Sequence, residues 1–99
     1  MTILARWEQQ PDEVLDWDIY YANSPDGAEP WLSDGDVIVD VTATVDIAGL
    51  VVSASHTNTM AKLWISGGSN GVKYKITVTA VTTSGRQKQD EVIMKIKEV

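Results

Sequence analysis

The chain has no cysteine and no phenylalanine, a single histidine and three prolines in 99 residues. Without cysteine there are no disulfides and no thiolate metal sites, and nothing marks an oxidising compartment. No apolar run approaches the length needed to cross a bilayer, so no membrane partner is expected. The opening Met-Thr-Ile-Leu-Ala-Arg-Trp-Glu lacks the basic start and longer apolar stretch of a signal peptide, and the expectation is a soluble protein made in the cytoplasm. Basic residues are scarce early: residues 1–46 carry eleven acids and one base, residues 47–99 three acids and seven bases, for a net charge of -6. That balance argues against a nucleic-acid partner. Two readings fit the asymmetry. Acidic early strands can lie beside basic late ones in the same sheets, the favoured reading, or two faces of opposite sign can steer assembly.

What the chain does have is alternation. Hydrophobic residues make up 43%, ordinary for a globular domain with a real core. Ala61, Leu63 and Ile65 alternate with Lys62, Trp64 and Ser66, and Val72, Tyr74, Ile76, Val78 and Ala80 alternate with Lys73, Lys75, Thr77, Thr79 and Val81. A last run sets Val92, Met94 and Ile96 against Ile93, Lys95 and Lys97. Period two is what a strand with one buried face requires. Gly67-Gly68-Ser69-Asn70-Gly71 reads as a hairpin connection, which makes these runs a three-strand antiparallel meander.

Upstream, Leu15, Trp17, Ile19 and Tyr21 line one face of a strand over residues 13–21, and Val37, Val39, Val41, Ala43 and Val45 line a second. A shorter strand runs from Leu50 to Ala54. Residues 1–12 read as an N-terminal arm, because Pro11 forbids a central-strand role nearby, and residues 13–99 as the domain. The long connection from residue 22 to 36 suits a strand that changes sheets. The tally is an all-β, immunoglobulin-like antiparallel β-sandwich of six to seven strands, with a small up-and-down barrel as the alternative. Tyr74, early in a long strand after a glycine-rich corner, fits the tyrosine corner of such domains. Val39, Tyr74, Ile76 and Met94 are expected to share the dry interior.

No enzyme chemistry is legible. His56 sits in a polar stretch with nothing to orient it as a base or to build an oxyanion hole. Asp26, Glu29, Asp34 and Asp36 cluster without calcium-loop spacing, and the glycine-rich run lacks the ending of a phosphate loop. No catalytic residue, metal or cofactor is therefore assigned. The candidate binding residues are Trp7, Trp31 and Trp64, since aromatic side chains on a sandwich anchor protein interfaces or stack sugars.

The ordered set Pro11-Asp12-Glu13-Val14-Leu15-Asp16-Trp17, Leu32, Gly35-Asp36-Val37-Ile38, Gly49-Leu50, Trp64-Ile65-Ser66-Gly67-Gly68, Gly71 through Thr83 and Gly85-Arg86 resembles short proteins of tailed phages and prophages. These are immunoglobulin-like proteins of unassigned role found among phage structural genes. The chain departs from them at Gln9-Gln10, where lysine is common, and in a longer connection from Ala22 to Trp31. The resemblance implies a non-enzymatic structural or assembly accessory, located in the virion or in the host cytoplasm before assembly. Its partners would be other phage structural proteins. A carbohydrate-binding module using exposed tryptophan for host attachment is the alternative.

Overall fold

A computed structural model describes residues 3–22, 31–32 and 35–98. Among these residues seven strands form: β1 (Ile3–Gln9), β2 (Val14–Tyr20), β3 (Ile38–Val45), β4 (Leu50–His56), β5 (Met60–Gly67), β6 (Lys73–Thr82) and β7 (Gln87–Ile96). They make two sheets, one ordered β1-β7-β6-β3 and the other β2-β5-β4. With β2, β5 and β4 read as strands B, E and D, and β3, β6 and β7 as C, F and G, this is the strand order of immunoglobulin-type sandwiches. The alternating faces of β5, β6 and β7 supply most of the interior: Leu63, Ile65, Ile76, Val78, Val92, Met94 and Ile96 are wholly buried. Burying one side of each strand between the layers is the main stabilising term of such a fold.

Three expectations are corrected. First, residues 3–9 are not a free arm. They add an edge strand that pairs in parallel with β7, with Trp7 beside Met94 and Gln9 beside Ile96, so the sandwich is not wholly antiparallel. Pro11 excludes a central strand but leaves an edge strand that ends before it.

Second, β5, β6 and β7 are not one meander, because β5 lies in the other sheet. Gly67 and Gly68 both take positive φ, and the Gly68 amide donates to the Gly49 carbonyl at 3.0 Å as the chain crosses between layers. A Cβ on Gly68 would stand 2.6 Å from Cγ1 of Ile96, so the crossing needs glycine for space as well as for its dihedral. Among the described residues, only β6–β7 and β4–β5 are hairpins.

Third, Val39 points outward and is 48% exposed, while Tyr74, Ile76 and Met94 are interior as expected. The register of β3 on β6 slips between Ile38 and Asp40, where two steps on β3 oppose one on β6. The extra residue of this bulge reverses the phase, so Ile38 takes the buried position and Val41 resumes it.

The tyrosine corner is present. The Tyr74 hydroxyl accepts a hydrogen bond from the Ser69 amide, five residues upstream, at 2.9 Å. The connection from β2 to β3 does change sheets. Its acidic residues Asp26, Glu29 and Asp34 lie outside the described residues.

Candidate functional site: the two outer faces

The structure places the three candidate tryptophans in three separate environments. Trp7, on β1, stacks on Trp17, on β2, with ring centroids 4.9 Å apart and planes 16° from parallel. Since β1 and β2 are edge strands of different sheets, the stacked pair closes one side of the sandwich. Gln9 completes that closure. It is 2% exposed and fully bonded: its Nε2 donates to the carbonyls of Ile65 at 2.8 Å and Glu13 at 3.0 Å, and its Oε1 accepts from Trp17 Nε1 at 2.8 Å. A buried amide without partners would be costly, and here both donors and the acceptor of Gln9 are used.

Trp31 is also held from several sides. Its ring meets Tyr21 edge-on at 5.9 Å, the Arg86 guanidinium lies 4.3 Å over it, and Arg86 Nη1 donates to the Trp31 carbonyl at 3.1 Å. Among the described residues, the Tyr21 hydroxyl and the nearby Asp90 Oδ2 are buried without hydrogen-bond partners. Burial, then the nearby Asp90 charge, holds the Tyr21 hydroxyl well above the usual phenol range.

Trp64 alone presents a large open surface. It is 46% exposed at the centre of the outer face of the three-stranded sheet, with Asp16 and Ser53 opposite it on the flanking strands. One step along, Ser66 lies between Val14 and Val51, which are 64% and 63% exposed. The result is a small apolar patch with an acidic border. Lys62 bridges that border, its Nζ 2.7 Å from Asp16 and 3.3 Å from Asp18. The Lys62 bond lowers the Asp16 pKa, and the Asp16 bond raises that of Lys62. Here the early acids do lie beside a late base in one sheet.

The outer face of the four-stranded sheet differs. Lys73 and Lys95 lie directly opposite each other across β6 and β7. With Arg6, Trp7, Glu8 and Ile93 they line a cleft of about 270 Å³. Tryptophan content drew attention to the candidate binding residues, but nothing in the linear order announces this cleft, which exists only once strands are paired. The same holds for Asp36. Its carboxylate accepts from Thr83 Oγ1 and Ser84 Oγ, both at 2.7 Å, and from the amides of Val37 and Ser84 at 3.1 Å. Asp36 thus caps the β6–β7 turn. His56 is exposed, with Nδ1 3.1 Å from the Thr57 carbonyl, and among the described residues no group of acids and histidine could hold a metal.

A family model described as podophage GP4 fiber-tail adaptor protein gp77 matches residues 9–95, from the last residue of β1 almost to the end of β7. The chain belongs to this family. Membership in the gp77 family makes it a phage structural protein, as the resemblance implied. No curated protein sequence matches it. Among solved structures, the endo-fucoidan hydrolase MfFcnA9 from glycoside hydrolase family 107 is similar with a TM-score of 0.56 and 20% identity, over 98% of this chain and 15% of that one. The chain therefore spans about 15% of that enzyme's length, and the likeness is one of fold alone.

Proposed function

We propose that this chain is a non-enzymatic adaptor in a phage tail, joining a fiber to the tail by protein–protein contact. The observation that carries the reading is the family match across residues 9–95. The architecture suits such a task. An immunoglobulin-type sandwich presents two rigid outer faces on opposite sides, and a linker between two proteins needs two separate surfaces. The apolar patch of Trp64, Val14 and Val51 is one contact surface in this reading, with Trp64 as its anchor. Trp7 and Trp31 serve the fold, through Trp17 and Arg86, more than a partner. Assignment of the protein as a virion component, rather than a transient assembly aid, belongs to the same proposal.

The test is capture by the tagged chain of purified fiber and tail proteins from the phage that encodes it. The adaptor reading expects both to bind, together and without competition. Failure to bind either would end it. The sugar-binding alternative gains nothing from the fucoidan hydrolase, whose similarity extends only to the fold.

A further inference from the structure

The outer face of the four-stranded sheet carries a concentration of positive charge in a chain of net charge -6. The register sets out its rows. Glu8, Lys95 and Lys73 lie side by side on β1, β7 and β6, and Arg6, Ile93 and Lys75 form the next row. Lys75 pairs with Glu91 at 3.8 Å. Among the described residues no carboxylate pairs with Lys73, Lys95 or Arg6. Two ammonium groups directly opposite across an antiparallel pair repel each other, an arrangement that a sheet selected for stability alone would avoid. An external carboxylate between them would reverse the sign of the interaction. Ile93 gives the cleft an apolar floor beside these charges.

We infer that this cleft docks an extended segment of a partner protein in which carboxylates alternate with aliphatic side chains. One carboxylate bridges Lys73 and Lys95 and a second, two residues along on the same face, meets Arg6; their methylene stems cover Ile93, and the aliphatic side chains between them face the partner's own interior. Residues two apart on an extended chain are about 7 Å apart on one face, the same step that separates the rows of this sheet. Charge complementarity selects this occupant. Nucleic acid is disfavoured, because the three cations of this short cleft, Arg6, Lys73 and Lys95, fall short of the run of phosphate contacts on which nucleic-acid binding rests. The partner's being a virion protein rests on the adaptor reading; the chemistry of the cleft does not.

The probe is a fluorescein-labelled peptide alternating Glu and Val, followed by anisotropy at low salt, beside its Gln-for-Glu counterpart and a short DNA duplex. Saturable binding of the Glu peptide is expected, weakened roughly tenfold in K73Q/K95Q and by added salt, and unchanged in K62Q on the opposite face. R6Q provides a second, independent reduction. Removing the Lys73–Lys95 repulsion leaves folding intact, which circular dichroism checks. No binding by the wild type, equal binding by K73Q/K95Q, or preference for the Gln peptide or the duplex overturns the inference. So does self-association of the wild type that the double variant abolishes, which would assign the face to a second copy. Mass spectrometry of purified virions separates the two readings. A chain present in virions but indifferent to the Glu peptide overturns only the cleft. A chain missing from virions overturns the adaptor reading and, with it, the virion partner named for the cleft.

Discussion

Gln9 Nε2 and the Ile65 carbonyl are 2.8 Å apart, and this bond ties the edge strand of one sheet to the central strand of the other. Strand β1 is thereby part of what holds the two layers in place. Gln9→Ala removes both amide donors and the acceptor of Trp17 Nε1, leaving buried polar groups unpaired. The expected loss is about 2–4 kcal/mol, since each orphaned group costs roughly 1–3 kcal/mol. Urea unfolding followed by tryptophan fluorescence reads it directly. A Gln9→Ala protein as stable as the wild type would show that the two sheets do not depend on the clasp.

The tyrosine corner makes a smaller, local prediction. Tyr74→Phe keeps the buried ring and loses only the acceptor for the Ser69 amide. A loss of about 1 kcal/mol is expected, seen as a lower urea midpoint at unchanged slope. Gly68→Ala should cost more, because it meets Ile96 and must hold a positive φ.

Acid should loosen the β6–β7 turn. Hydrogen bonds from Ser84 first, and then from Thr83 and Thr82, outweigh partial desolvation and hold the Asp36 carboxyl well below the usual carboxylate range. A depressed folded-state pKa means that the contribution is complete above the ordinary value, near 3.8, and is lost as pH falls through the lower folded value. Carbon-13 NMR of the Asp36 carboxyl should find it still ionised at a pH where an ordinary aspartate has titrated. Asp36→Asn should flatten the acid limb of the melting curve, and an unchanged limb would contradict the cap.

The tryptophans should divide by role. Trp64→Ser, on the open face, is expected to change stability by less than about 0.5 kcal/mol and to weaken partner binding tenfold or more. Trp31→Ala should do the reverse, costing about 2–3 kcal/mol through the lost Tyr21 and Arg86 contacts while leaving partner binding intact. Chemical denaturation and binding isotherms on the same two variants separate these outcomes.

Much of the fold was legible because one-sided burial writes itself into alternation. Tyr74, Ile76 and Met94 alternate with polar residues and lie inside, and the corner at Tyr74 follows from its position after the glycines. Alternation has two blind spots here. It does not say which sheet a strand joins, so β5 and β6 looked like one hairpin although two successive positive-φ glycines carry the chain across the core. It also assumes an unbroken phase, which the bulge at Val39 interrupts. Gln9 was unreadable for a different reason: a polar residue two before proline resembles a linker until its partners are assembled around it, one of them, the Ile65 carbonyl, on a distant strand. The Lys73–Lys95 pair likewise depends on register, which no local pattern encodes.

Cross-linking mass spectrometry on intact purified virions addresses the adaptor role most directly. Lys62 and Lys73 stand on the outer faces of different sheets and report on the two surfaces separately. The account predicts that they cross-link to two different proteins, one a fiber protein and the other a tail protein. Cross-links from both lysines to a single protein, or virions that contain none of this chain, would contradict it.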